Sequence, residues 1–146
     1  MNFFSAMEIT ASGLGAQRTR MNVLASNLAN ARTTRREGGA GPYRRLDPVF
    51  RAVPVSERFS DLVGDPGARS AAVVEVSEIR EDTSPPMRVY EPGHPDADEA
   101  GYVELPNVNV VEEMVNMITA SRAYESGVTV MQSLKGMARS AISIAG

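Results

Sequence analysis

Few residues in this sequence have side chains able to carry chemistry, and they are scattered. His94 is the single histidine among 146 residues, and cysteine is absent. A nucleophile–base pair therefore has almost nothing to draw on. Disulfides, thiol nucleophiles and thiolate zinc sites are excluded. The run closest to a metal motif is Asp96-Ala97-Asp98-Glu99-Ala100-Gly101. With Asp96 as the first position of a calcium loop, Gly101 falls at the sixth, where the sharp turn needs it. The fifth position is Ala100, however, and the twelfth is Asn107, where a bidentate glutamate belongs. With two ligands missing, the run reads as a solvated turn. Gly13-Leu14-Gly15 lacks both the third glycine and the preceding strand of a dinucleotide site. The cluster Arg32, Arg35, Arg36, Arg44 and Arg45 is interleaved only by Tyr43, and the chain carries a net charge of −3. An acidic protein surface suits that cluster better than nucleic acid does. These residues predict no enzyme, no cofactor and no metal site.

The charge layout is uneven. Residues 32–58 sum to +4 and residues 59–109 to −8, while residues 110–146 are neutral. The basic residues Arg35, Arg36, Arg44 and Arg45 are expected to meet the acidic block of a neighbouring molecule. No run of about 18 apolar residues occurs, so no membrane insertion is expected. The charged start and apolar block of a cleaved export signal are also missing, since Arg18 is the first basic residue and Glu8 interrupts the early apolar stretch.

The elements that position these groups begin with a helix at each end. Met7, Leu14, Met21 and Leu28 recur every seven residues, with Ala11, Leu24, Ala25 and Ala31 between them. A helix over 3–31 is a rod of roughly 43 Å. Gly13 and Gly15 inside it mark either a weak point or the close approach of a neighbouring helix. The second helix starts after Asn109, which can cap it, with Glu112 where a capping-box acid belongs. Its apolar positions include Val111, Met114, Met117, Ile118, Tyr124, Val128, Met131 and Leu134. They form a face broader than one partner helix requires. The surplus points to an interface, and its methionines suit non-identical neighbours.

Between the helices the pattern is short strands and turns. Residues 43–55 read as a strand that Pro48 and Pro54 confine to an edge or a bulge. Residues 72–80 alternate well, and residues 87–90 and 102–105 form two more strands. Gly64-Asp65-Pro66-Gly67 signals a turn, and Glu91-Pro92-Gly93-His94-Pro95 a stiff one. The expected fold class is α+β: long N- and C-terminal helices pairing as a coiled coil, with a small β-rich middle domain. The expected division is 1–31, 32–108 and 109–146. On these features alone, a free-standing cytosolic helical adaptor is also open.

Two stretches narrow the choice. Ser12-Gly13-Leu14 followed by Ser26-Asn27-Leu28-Ala29-Asn30-Ala31 resembles the N-terminal signature of flagellar rod and hook proteins. Residues 101–117, from Gly101 through Pro106-Asn107-Val108-Asn109-Val110 to Met117, followed by Ala120-Ser121-Arg122-Ala123-Tyr124-Glu125, closely resemble the proximal rod proteins of the bacterial flagellar basal body, the FlgC type. Gly41-Pro42-Tyr43, Asp82-Thr83-Ser84-Pro85-Pro86 and Pro92-Gly93-His94-Pro95-Asp96 agree. The Glu37–Ala40 loop and the Asp61–Arg69 segment depart from the pattern. The resemblance implies a structural axial protein without enzymatic activity, located in the periplasm-spanning rod. It implies partners among copies of itself, other rod and basal-body proteins and the flagellar type III export apparatus. It also implies assembly through the terminal helices, using Met7, Leu14, Met21, Leu24, Asn27, Leu28 and Asn30 with Val111, Met114, Met117, Ile118, Tyr124, Val128, Met131 and Leu134.

Overall fold

A computed structural model describes residues 3–36, 38, 41–54 and 71–145. The Asp61–Arg69 segment, the Gly64–Gly67 turn and most of the Glu37–Ala40 loop lie outside the described residues. The element order is α1 (Phe3–Ala29), β1 (Leu46–Pro54), β2 (Ala72–Glu81), β3 (Met87–Tyr90), β4 (Tyr102–Leu105) and α2 (Val110–Ala145).

The helix α1 runs unbroken through Gly13 and Gly15, and neither glycine has another element against it. The close approach falls at Gly127 of α2 instead. A Cβ built there would lie 2.9 Å from Leu14 Cδ2, so the missing side chain is what lets Leu14 seat against α2. This contact and the bond from Asn27 to Glu113 set α1 and α2 antiparallel. Stepping seven residues each way from Leu14–Gly127 brings Met7, Met21 and Leu28 level with Leu134, Ala120 and Glu113. The heptad stripe of α1 is therefore the stripe that faces α2. Its members are half-buried, whereas the deepest α1 residues are Ser5, Ala16, Val23, Leu24 and Asn27. The reason is that α1 is covered on a second side by the β1–β2 hairpin, where Ser12 Oγ accepts a 3.1 Å bond from the Val74 amide. Asn109 caps α2 as its sequence position predicts, its Oδ1 accepting from the Val111 amide at 3.1 Å.

The strands form two separate antiparallel pairs, β1–β2 and β3–β4. The register of the first slips between Val49 and Phe50, one residue past Pro48. A bulge there absorbs the disturbance a proline brings to a ladder. In the second pair Tyr90 and Tyr102 stand opposite each other, their rings edge-on at 5.3 Å. The turn joining them closes at Gly101, whose φ of +81° is open to glycine. A Cβ on Gly101 would also lie 2.8 Å from Tyr90 Cε2 and 3.1 Å from Pro92 Cβ. Among the described residues the buried apolar side chains are few: Ala16, Val23, Leu24, Val103, Pro106, Val108 and Ala120.

Candidate assembly interface

Asn27 and Glu113 are the two large polar residues that α1 and α2 bury, at 0% and 1% exposure. Asn27 Nδ2 donates to Glu113 Oε2 at 3.0 Å and to the Leu46 carbonyl at 2.9 Å. Its Oδ1 accepts from the Leu46 amide at 2.9 Å and from the Tyr43 hydroxyl at 3.0 Å. Arg45 Nε donates to Glu113 Oε1 at 2.7 Å. Burial works against the charge on Arg45, but the hydrogen bond and attraction of Glu113 outweigh it and raise the guanidinium above its ordinary pKa. All of the Asn27 amide's hydrogen-bonding capacity is thus used where α1, α2 and the start of β1 converge. Sequence reasoning placed Asn27 in the signature motif but did not anticipate Glu113 or the role of Tyr43. The signal for Glu113 was its spacing. Glu113, Met117, Ala120, Tyr124, Gly127, Met131, Leu134 and Ala138 alternate four and three residues apart without a break, and all are buried or half-buried.

The arginine cluster is largely paired within the chain. Arg36 binds Glu81 through both terminal nitrogens, at 2.5 and 3.1 Å. The hydrogen bond from Arg36 holds the Glu81 carboxyl below its usual range. Arg35 pairs with Asp96, whose carboxyl is lowered first by the 2.6 Å bond from the Thr34 hydroxyl and further by that arginine. Arg44 makes no ion pair among the described residues. In the candidate calcium run the acids serve the turn itself. Asp98 Oδ1 accepts the Tyr102 and Ala100 amides, both at 2.9 Å, and Asp98 Oδ2 takes Arg88 at 2.6 Å. Among the described residues no group of three or more His, Cys, Asp or Glu is placed to hold a metal ion.

Exposed apolar side chains occur on the strands, among them Ile79, Met87 and Tyr90, but most lie along α2. Val110, Val111, Met114, Val115, Ile118, Val130, Met137, Ile142 and Ile144 are exposed. Of the candidate assembly residues, Val111, Met114 and Ile118 face outward. Met117, Tyr124, Val128, Met131 and Leu134 are half-buried, as are Met7, Leu14, Met21, Leu28 and Asn30, while Leu24 and Asn27 lie inside the chain. Phe4 is 78% exposed at the far end of α1 and borders an apolar groove that Phe3, Leu134, Met137 and Ile142 also line. No helix among the described residues is long and apolar enough to cross a membrane.

Comparison with known proteins agrees with this layout. The family model described as "Flagella basal body rod protein" matches residues 7–35, and "Flagellar basal body rod FlgEFG protein C-terminal" matches residues 99–144. The chain is 42% identical to the flagellar basal-body rod protein FlgC of Borreliella burgdorferi, over 99% of this chain and 98% of that one. It is 41% identical to FlgC of Bacillus subtilis over 99% of both chains, and 48% identical to FlgC of Aquifex aeolicus over 86% of this chain and 84% of that one. Identity at this level along almost the full length, with both matched segments on the paired helices, shows that the chain belongs to the FlgC family of flagellar basal-body rod proteins.

Proposed function

We propose that this chain is a structural subunit of the proximal rod, joined to copies of itself and to other basal-body proteins through its terminal helices. In this reading it is exported by the flagellar type III apparatus, and the assembled rod is the axial drive shaft that transmits torque. The observation that carries the reading is the outer face of α2, which leaves Val111, Met114, Val115 and Ile118 exposed along successive turns. A contiguous apolar strip of this kind is unfavourable in water and marks an interaction surface. Met114 suits it to neighbours of differing shape. A small core fits passage through a narrow channel as an unfolded chain. The division into axial helices 1–31 and 109–146 around a middle region 32–108 belongs to the same reading.

The test is Val111→Asp combined with Ile118→Asp. Both sites are exposed, so the purified variant is expected to fold like the parent. Cells making only this variant are expected to be non-motile and to yield no intact hook–basal bodies, although the variant is synthesised. Normal incorporation and swimming would remove the outer face of α2 as the interface, whereas absence of the unaltered chain from hook–basal bodies would favour a free-standing adaptor.

A further inference from the structure

Glu113 heads the α2 seam at 1% exposure, and every later seam residue is apolar, small or aromatic. A carboxylate in that place is unfavourable against any partner unable to pair with it. Here it is paired from two sides, by Asn27 at 3.0 Å and by Arg45 at 2.7 Å. Both are held from behind: Asn27 by the Leu46 main chain and the Tyr43 hydroxyl, and Arg45 by its position one residue before β1. A slip of one heptad would leave Asn27 opposite Ala120 or beyond the start of α2, and Arg45 would lose Glu113. Two α2 seams laid together would bury two glutamates with neither Asn27 nor Arg45 beside them.

We propose that Glu113, Asn27 and Arg45 form a pairing lock, which confines the α2 seam to α1 of the same chain in one register and keeps free copies from associating seam to seam. A buried polar residue that fixes register and partner in a helix pair is the general precedent. The inference concerns contacts within one chain, so it stands apart from the proposed assembly role.

The chain has no cysteine, so introduced pairs report cleanly on register. Leu14→Cys with Gly127→Cys reads the native register. Leu14→Cys with Ala120→Cys or with Leu134→Cys reads a slip of one heptad in either direction. In the purified full-length chain, a short bis-maleimide is expected to join the native pair within monomers about tenfold more efficiently than either shifted pair. Adding Glu113→Leu is expected to cut that preference at least about threefold and to produce dimers by light scattering, because an apolar seam accepts other partners. Met131→Leu, an equally apolar change on the same seam, is expected to leave the pattern unaltered. If Glu113→Leu alone does not fold, Glu113→Leu with Arg45→Met removes both charges and decides the matter. Retention of one register and a monomer in the folded Glu113 variant overturns the lock, as does loss of register in Met131→Leu.

Discussion

Asn27 makes four hydrogen bonds within 3.0 Å, and removing its amide leaves Glu113 and the Leu46 main chain short of partners. Loss of buried partners of this kind costs about 2–4 kcal/mol. Asn27→Ala is therefore expected to lower the unfolding free energy of the purified chain by that much, read as a lower urea midpoint. Asn27→Asp, which sets a second carboxylate against Glu113, is expected to lower it further. The surface acids act differently. Asp96, Asp98 and Glu81 all have carboxyl pKa values held below the ordinary range, Asp98 chiefly by the Tyr102 amide. For a lowered carboxyl, the unfolded chain takes up its proton first as pH falls. The stabilisation is complete above the ordinary carboxylate range of about pH 4 and is lost as pH drops through the lowered values. The urea midpoint should fall below about pH 4, and Asp98→Asn should flatten that fall. Insensitivity of the parent's midpoint to acid would show these bonds to be without consequence. At Gly101, φ of +81° together with the crowding of Tyr90 and Pro92 makes any Cβ unfavourable. Gly101→Ala is expected to destabilise the chain by at least about 1 kcal/mol.

The glycines of α2 play unlike roles despite sharing a helix. Gly136 is exposed with nothing near it, so Gly136→Ala recovers helix propensity and is expected to stabilise by about 1 kcal/mol. Gly127 sits under Leu14, and Gly127→Leu is expected to force the helices apart and lower the unfolding midpoint. A Gly127→Leu chain as stable as the parent would show that the helices do not rest on that contact. Burial also varies along the helix pair. Asn27, Glu113 and Ala120 are sealed at one end, while Phe4, Met137, Ile142 and Ile144 are exposed at the other. Amide exchange of the isolated chain is expected to be slowest over residues 16–29 and 113–124 and fastest over residues 3–10 and 134–145. Equal protection along both helices would contradict this gradient.

For the molecule as a whole, the basic and acidic blocks partly cancel within the chain, through Arg36–Glu81, Arg35–Asp96 and Arg51–Glu75. Arg45 belongs to the buried network, whereas Arg44 is exposed and makes no ion pair among the described residues. The two neighbours therefore predict different failures. Arg45→Gln is expected to weaken folding of the purified chain. Arg44→Gln is expected to leave folding within about 0.5 kcal/mol of the parent, with any loss confined to assembly and growing less distinct as salt screens the parent's charges. Equal effects of both on the unfolding midpoint would remove the distinction.

The sequence by itself determined the elements. The seven-residue spacing from Met7 to Leu28 marked the face of α1 that meets α2, because a side chain's direction on a helix depends only on its spacing. Asn109 marked the start of α2, and Pro48 marked the bulge in β1, because caps and proline constraints act over a few bonds. The family signature was equally legible, in the residues around Asn27 and Pro106. What only the tertiary structure decided was which side chains close the gaps between elements. Glu113 and the capping candidate Glu112 are chemically alike and adjacent, yet α1 and Arg45 cover the first and solvent takes the second. Gly13 and Gly15 read as either a weak point or a place of close approach, and among the described glycines the approach of α1 to α2 falls at Gly127, because a close approach requires two helices and their register. Local spacing orients a side chain on its own element; burial and partnership depend on the element that packs opposite.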